Sequence, residues 1–160
     1  VETGCFGKEA YVLTGYMNIP KILELTLNNG YDPISKKQIG IETGDPRNFQ
    51  SYEELFEAFK KQLHYMIDIK IEGNAVIENI CAKHMPCPLM STIVDDCIEK
   101  GKDYQRGGAR YNTRYIQGVG IGTITDSLTA IKYNVFDKKK FDMDTLLKAL
   151  DANFEGYEAI

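Results

Sequence analysis

The strongest pattern in the chain is a series of apolar residues at helical spacing that begins near residue 51. Ser51 and Glu54 have the spacing of a capping box, in which the serine hydroxyl accepts from the third helical N–H and the glutamate accepts from the N–H of the cap. The apolar residues that follow at this spacing are Leu55, Phe56, Phe59, Leu63, Met66, Ile67, Ile71, Val76, Ile77 and Ile80. They predict one helix from Ser51 to about Cys81, with a weak point at Gly73.

Shorter helices are predicted on both sides of this one. Ile19-Pro20 begins a helix and Asn28-Asn29-Gly30 ends it, since proline is favourable in a first turn and glycine favours the position after a last turn. The other predicted helices are roughly Leu89–Lys100, a segment capped by Thr125 or Asp126 that reaches Val135, and a segment capped by Asp142 that reaches Phe154. Residues 1–18 are expected to form a loop with a short strand around residues 11–13. Residues 101–122 are rich in Gly, Arg, Tyr and Gln and carry few aliphatic side chains before Ile116.

Composition narrows the class of protein. A chain of 160 residues suits one domain, and a hydrophobic fraction of 43% is too high for intrinsic disorder. The formal net charge of −4 argues against a dedicated nucleic-acid binder. No apolar run approaches the roughly 20 residues that span a bilayer, and four cysteines in a chain of this length fit reduced thiols. We therefore expect a cytoplasmic protein with neither a nucleic-acid nor a membrane partner.

Two motifs suggest chemistry but favour a structural role. Cys81, His84, Cys87 and Cys97 are residue types that bind zinc, although their spacing does not fit a zinc knuckle, and we expect small buried side chains and a loop histidine instead. The segment Gly118-Val119-Gly120-Ile121-Gly122 is similar to a phosphate-binding turn, but Thr123 occupies the place of the third glycine of a dinucleotide fingerprint. Close backbone packing is the favoured interpretation of these glycines.

Several segments, in order along the chain, resemble those of glycyl radical enzymes. They are Val1-Glu2, Leu25-Thr26-Leu27-Asn28-Asn29-Gly30, Asp95-Asp96-Cys97, Gly107-Gly108-Ala109-Arg110-Tyr111-Asn112, Gln117-Gly118-Val119-Gly120 and Asp126-Ser127-Leu128. The resemblance covers essentially all 160 residues. It implies an α/β fold, in which this chain is a helix-rich and incomplete portion of a ten-stranded barrel. Residues 1–160 would then belong to a single pyruvate formate-lyase-like barrel domain, starting just after the thiyl-forming cysteine and ending before the glycyl radical domain.

The resemblance also implies the residues of the site. The thiyl-forming cysteine of the family precedes a Val-Glu pair, so it would lie just before Val1, and Glu2 would exchange a proton with that cysteine or with the substrate. A carboxyl group suits this task if a dry barrel interior raises its pKa toward neutrality. Tyr16, Tyr111 and Asn112 are expected to line the substrate, and no metal site is expected. Cys5 lacks a Glu two places on and is therefore not the matching cysteine.

Within the family, residues 3–16 resemble the 4-hydroxyphenylacetate decarboxylases, so the implied reaction is the decarboxylation of this arylacetate to p-cresol and carbon dioxide through a thiyl radical. No cofactor is expected on these residues. The glycyl radical would lie beyond Ile160 and would be installed by an activating enzyme that uses S-adenosylmethionine and a 4Fe-4S cluster. A small iron–sulfur subunit is the second implied partner, which would make the whole protein a hetero-oligomer.

Two alternatives remain open from the sequence. One is a glycyl radical lyase or dehydratase that acts on another substrate, such as a diol or an amine. The other is a non-enzymatic metal-binding module built on Cys81, His84, Cys87 and Cys97.

Overall fold

The computed structural model describes residues 7–160, except for the side chains of residues 12–14. The chain divides into two compact units. The first unit contains the residues up to Met17 together with Ile69–Gln117, and the second contains Asn18–Asp68 together with Gly118–Ile160.

Helices predominate over strands in the described chain. The strands are β1 (Glu9–Asn18), β2 (Tyr31–Asp32), β3 (Lys37–Gln38) and β4 (Tyr111–Val119). The α-helices are α1 (Ile19–Leu27), α2 (Tyr52–His84), α3 (Pro88–Ile93), α4 (Cys97–Lys100), α5 (Ile121–Ile131) and α6 (Met143–Asp151). Short 3₁₀ turns lie at Pro46–Asn48 and Tyr104–Arg106, and a π-helical segment at Lys132–Asp137 follows α5.

In the first unit, β1 pairs with β4, a strand that the sequence pattern does not predict. The Tyr111 N–H donates to the carbonyl oxygen of Lys8 at 3.0 Å, and further along, the rings of Tyr11 and Tyr115 are centred 4.3 Å apart. The contacts advance in the same direction along both strands, as they do in a parallel pair. Much of β4 is exposed, so it lacks the regular alternation of apolar and polar residues by which a half-buried strand is recognised.

A small core closes the first unit. It consists of Ala10, Val94, Cys97, Tyr104 and Ala109, with Cys87 packed at its edge. Ala10 and Ala109 are completely buried, so the residues next to them on β1 and before β4 approach the rest of the core closely.

The helix predicted over Leu89–Lys100 is wrong as a single element. The structure has α3 and α4 instead, separated by Val94, Asp95 and Asp96. Val94 is extended, and Asp96 lies in the left-handed region with φ of +75°, so the chain cannot continue as one right-handed helix.

In the second unit, α1 packs against α5. Asn18 caps α1 by accepting from the Lys21 N–H at 3.4 Å, which agrees with the predicted start at Ile19-Pro20. α5 begins at Ile121, not at the predicted cap of Thr125 or Asp126. Gly120, with φ of +87°, caps it, and a Cβ at this position would lie 2.5 Å from the Pro20 ring, so this glycine permits close packing as the sequence predicts.

The capping box at the start of α2 is present with one difference. Ser51 accepts from the Glu54 N–H at 3.3 Å, as predicted, but the Glu54 carboxylate accepts from the Gln50 N–H at 2.8 Å, one residue before the cap. α2 then continues through Gly73 without a break. Several aliphatic side chains on its second half are 45–60% exposed, namely Ile69, Ile71, Val76, Ile77 and Ile80. Among the described residues, no helix has both the length and the apolar character needed to cross a bilayer.

Gln62 on α2 fixes the loop after β3. Its side chain is completely buried, its Oε1 accepts from the Ile41 N–H at 3.2 Å, and its Nε2 donates to the Ile41 carbonyl oxygen. A Cβ on Gly40 would lie 2.5 Å from the Gln62 Oε1, so glycine is required beside this contact. Gln62 therefore satisfies both backbone groups of one residue in a buried setting.

The variant Gln62→Leu tests this contact. It would leave the Ile41 N–H and carbonyl without their partners, and we expect the free energy of unfolding to fall by about 2–3 kcal/mol. Urea denaturation of the intact protein measures the change. Gln117→Leu, on an exposed residue of β4, is the matched control and should change the value by less than about 0.5 kcal/mol. Equal effects of the two substitutions would contradict the role given to Gln62.

Candidate functional site

Glu2, the predicted catalytic residue, and Cys5 lie outside the described residues. The other predicted site residues are described and belong to the first unit. Tyr16 is 65% exposed on β1, and Tyr111 is 51% exposed at the first position of β4. The Asn112 side chain is exposed and donates to the Ala109 carbonyl oxygen at 2.8 Å.

The structure brings Tyr111 and Asn112 together but keeps Tyr16 apart from them. Tyr111 is paired with Lys8, and Tyr16 follows Lys8 by eight residues along the same chain. At about 3.3 Å per strand residue, this places Tyr16 about 26 Å further along β1. One small substrate cannot contact both tyrosines across that distance.

The backbone directly after residues 1–6 is held by two hydrogen bonds. The Asp95 N–H donates to the Gly7 carbonyl oxygen at 2.7 Å, and the Tyr111 N–H donates to the Lys8 carbonyl oxygen at 3.0 Å. We call Gly7, Lys8, Asp95 and Tyr111 the exit anchor. Gly7 and Lys8 follow the segment that contains Glu2, and Asp95 and Tyr111 bind their carbonyl oxygens. The exit anchor joins the start of β1 to the connection between α3 and α4 and to the start of β4.

The backbone at residues 107–112 is closely packed where it leads to Tyr111 of the exit anchor. A Cβ on Gly108 would lie 2.9 Å from the Asp103 carbonyl oxygen and the Cys97 Sγ, and closer still to the Lys102 carbonyl oxygen. The next residue, Ala109, is completely buried, and its carbonyl oxygen accepts from the Lys100 Nζ at 3.0 Å. Glycine and alanine are therefore needed here because the backbone approaches neighbouring backbone too closely for larger side chains.

Arg110 binds Asp96 across the same region. Its Nη2 is 2.7 Å from the Asp96 Oδ1, and its Nε lies 3.2 Å from the same oxygen. The Lys100 Nζ is 3.4 Å from the other carboxylate oxygen. The hydrogen bond from Arg110 holds the pKa of the Asp96 carboxyl below its usual value.

Asp103 ties the start of α3 to the turn that precedes the motif. Its Oδ2 accepts from the Cys87 N–H and from the Ser91 hydroxyl, both at 2.9 Å, and its Oδ1 accepts from the Gln105 N–H at 2.8 Å. Burial acts to raise the pKa of Asp103, but the hydrogen bonds together outweigh it and lower the pKa below its ordinary value.

A carboxylate that sequence reasoning missed lies at the start of β1. Glu9 accepts hydrogen bonds from the Tyr115 hydroxyl at 2.8 Å and from the Thr113 hydroxyl. Thr113 and Tyr115 are two residues apart on β4 and so project from the same face of the strand. That spacing is the signal in the sequence, but it is informative only once residues 111–119 are known to be a strand.

The proposed zinc module is wrong for the residues that it names. Cys97 is buried in the core, where burial raises the pKa of its thiol, and Cys81 lies 4.0 Å from the sulfur of Met85. Within residues 7–160, no three of the His, Cys, Asp and Glu side chains come together in a group that could hold a metal ion.

Comparison with known proteins identifies the family. The profile described as pyruvate formate lyase-like matches residues 1–160, which is the whole of this chain. The chain belongs to the pyruvate formate lyase-like family.

Curated relatives of this family show which proteins the chain is similar to. It is 33% identical over 161 residues to a (2S)-3-sulfopropanediol dehydratase of Klebsiella oxytoca, a match that covers 100% of this chain and 20% of the dehydratase. It is 35% identical over 143 residues to the 4-hydroxyphenylacetate decarboxylase glycyl radical subunit of Clostridium scatologenes, covering 87% of this chain and 15% of that subunit. The chain thus spans a fifth or less of the length of these relatives.

The fold is shared with solved structures of the same kind. The glycerol-bound form of the B12-independent glycerol dehydratase from Clostridium butyricum superposes with a TM-score of 0.89 at 38% identity, covering 96% of this chain and 20% of the dehydratase. The predicted membership of the glycyl radical enzymes and the predicted fold, a helix-rich portion of their α/β barrel, are confirmed. These relatives include both dehydratases and a decarboxylase, so members of this pyruvate formate lyase-like family are named for more than one reaction.

Gly108→Ala tests the close approach in the motif of this pyruvate formate lyase-like chain. The added methyl group would overlap two backbone carbonyls, and we expect the free energy of unfolding of the full-length protein to fall by about 3 kcal/mol. Gly122→Ala is the control, because it lies within α5 and a Cβ there meets no atom within 4 Å. The control should leave the melting temperature unchanged or slightly raised. A Gly108→Ala protein that melts like the control would contradict the packing described here.

Asp103→Asn tests the role of the Asp103 carboxylate, which binds the turn just before residues 107–112. Because the folded pKa of Asp103 is depressed, its ionised form stabilises the folded state above the unfolded pKa of about 3.9. That stabilisation is lost as the pH falls through the folded pKa. We expect Asp103→Asn to lower the free energy of unfolding by about 2 kcal/mol at neutral pH, with a gap to the wild type that narrows as the solution is acidified.

Urea denaturation at a series of pH values measures this gap. Asp126→Asn is the matched control, since Asp126 is exposed on α5, and it should change the free energy of unfolding at neutral pH by less than about 0.5 kcal/mol. A gap for Asp103→Asn that stays constant from neutral to acidic pH would show that its charge does not act as described.

Proposed function

We propose that this chain is part of a glycyl radical lyase and that Glu2 carries out a proton transfer in its reaction. The observation that supports the proposal is the family match, which extends over residues 1–160 and therefore includes the Val1-Glu2 pair.

Decarboxylation of 4-hydroxyphenylacetate is the first specific reaction that we propose. One proton and one 4-hydroxyphenylacetate anion give one p-cresol and one carbon dioxide, so the atoms and charges balance only if a proton is delivered. A carboxyl group with a pKa near neutrality can hold such a proton and release it at the reacting carbon. Support comes from the resemblance of residues 3–16 to enzymes of this kind and from the decarboxylase subunit among the relatives.

Dehydration of a small diol is the second candidate. It is favoured by the breadth of two matches, since the sulfopropanediol dehydratase covers all of this chain and the glycerol dehydratase covers 96% of it. Loss of water from a diol also requires a proton, here at the departing hydroxyl group, and Glu2 is again the candidate donor. The two reactions therefore assign the same role to Glu2 and differ in the substrate.

The radical and the partners follow from the same proposal. The glycyl radical of the full-length protein would supply the one-electron chemistry, installed by an activating enzyme that uses S-adenosylmethionine and a 4Fe-4S cluster. A small iron–sulfur subunit would be a further partner of the decarboxylase. The contribution of the present chain would be the proton carried by Glu2 and, for whichever substrate is bound, contacts from Tyr111 and Asn112 or from Tyr16.

The activated full-length protein, supplied in separate reactions with 4-hydroxyphenylacetate, glycerol and 1,2-propanediol, tests the proposal. Formation of p-cresol supports the decarboxylase, and formation of an aldehyde from a diol supports the dehydratase. Glu2→Gln should lower turnover of the accepted substrate by about 10²–10⁴-fold, because glutamine cannot donate the proton.

Glu57→Gln is the matched control for this experiment. Glu57 is 61% exposed on α2 and pairs with Lys60, so its loss should leave turnover unchanged. Turnover by Glu2→Gln at the rate of this control would contradict the role of Glu2. The absence of product from all three substrates would contradict both proposed reactions.

A further inference from the structure

Asp96 has a backbone conformation that residues with a Cβ rarely adopt. With φ of +75° and ψ of −15°, it lies in the left-handed region, which costs most residues with a Cβ about 1–2 kcal/mol and which aspartate adopts when its short side chain is held by hydrogen bonds. Strain of this kind persists only where neighbouring groups hold it in place, and it is concentrated at functional sites. The conformation therefore requires an explanation.

Arg110 and Lys100 hold Asp96 through ion pairs with its carboxylate. The Arg110 guanidinium binds the carboxylate through two nitrogens, and the Asp96 side chain is only 16% exposed, so water screens the pair less than it would at an open surface. The Lys100 ammonium, one helical turn further on, lies 3.4 Å from the second carboxylate oxygen. The Lys100 N–H also donates to the Asp96 carbonyl oxygen at 2.8 Å.

The strained turn has a direct effect on the exit anchor. In a continuous helix, the Asp95 N–H would donate to the carbonyl oxygen of Ser91, four residues earlier. Because α3 ends at Ile93, Val94 is extended and Asp96 is left-handed, the Asp95 N–H instead donates to the Gly7 carbonyl oxygen at 2.7 Å. Gly7 is five residues after Glu2, so the anchored position lies within about 18 Å of chain from it.

We propose that Asp96 and Arg110 are positioning residues of the reaction assigned above: their ion pair holds the left-handed turn that presents the Asp95 N–H to Gly7, the first residue that the structure describes after Glu2. This inference rests on the proposed function. Neither residue touches the substrate, and both act through the backbone of the exit anchor.

Two substitutions of Asp96 separate the backbone conformation from the charge. Asp96→Ala removes the carboxylate and leaves a residue that avoids the left-handed region, whereas Asp96→Gly removes the same carboxylate but adopts that region without cost. In the activated full-length protein, we expect Asp96→Ala to lower kcat by about tenfold or more with KM changed less than about twofold. Asp96→Gly should recover kcat to within about threefold of the wild type.

Arg110→Met provides a second test that keeps Asp96. It should lower kcat as Asp96→Ala does, and the double variant with Asp96→Gly should be as active as Asp96→Gly alone, because glycine no longer needs the pair. Glycyl radical content, measured by electron paramagnetic resonance, should be equal in all of these variants. Hydrogen exchange of the Asp95 amide should become at least about tenfold faster in Asp96→Ala and return to the wild-type rate in Asp96→Gly.

Equal losses of kcat in Asp96→Ala and Asp96→Gly would overturn the inference, as would a loss confined to KM or an Asp95 amide whose exchange does not change. A double variant less active than Asp96→Gly alone would show that Arg110 acts by another route. A wild-type protein that carries the radical but turns over none of the tested substrates is a failure of the proposed function, and the exchange rates of the Asp95 amide then report separately on the turn.

Discussion

The contact on which the first unit depends is the close approach of backbone to backbone at Gly108. No side chain fits between this residue and the carbonyl oxygens of Lys102 and Asp103, so only a glycine at position 108 allows the chain to pass here. That passage lets Ala109 enter the core and brings Tyr111 into register with Lys8. Hydrogen bonds and ion pairs then hold a geometry that steric exclusion has already limited to one arrangement.

The polar residues around Gly108 all act on the backbone that follows the segment containing Glu2. Asp103 fixes the turn before Gly108, and the pair formed by Arg110 and Asp96 fixes the turn between α3 and α4. The turn between α3 and α4 contains Asp95, whose N–H binds Gly7, and the turn before Gly108 is followed by Tyr111, whose N–H binds Lys8. A radical enzyme needs its proton-transfer group at a defined position because a misplaced group loses most of its catalytic effect. The motif at residues 107–112 thus contributes to the proposed chemistry through the backbone.

The sequence predicted those elements whose signals are local. The capping residues Ser51, Asn18 and Asp142 each accept from a backbone N–H of the helix that they begin, and the apolar spacing of α2 identified the longest helix. β4 escaped prediction because it is largely exposed and its residues alternate poorly. The break between α3 and α4 was not predicted from the sequence, since Asp96 at the break is bound by Arg110, which lies fourteen residues later along the chain. Contacts between distant residues set both features, and local patterns do not contain them.

For the candidate site, the ordered motifs identified the family. The residue types in these motifs did not by themselves show what each residue does. Gly108 and Arg110 hold the backbone near Tyr111 close to other segments, but Glu9 and its two hydroxyl partners carried no signal until β4 was known. The exposed aliphatic residues on the second half of α2 fit a chain that spans a fifth or less of its relatives.

The exit anchor can be tested most directly by amide hydrogen exchange of the full-length protein, resolved at Asp95 and Tyr111. If the backbone of Gly7 and Lys8 is held as described, both amides are protected to the degree of the α2 interior, since each is bound to a carbonyl oxygen in a packed region. Exchange of these two amides at the rate of an unstructured peptide would mean that the hydrogen bonds at Gly7 and Lys8 do not hold the chain.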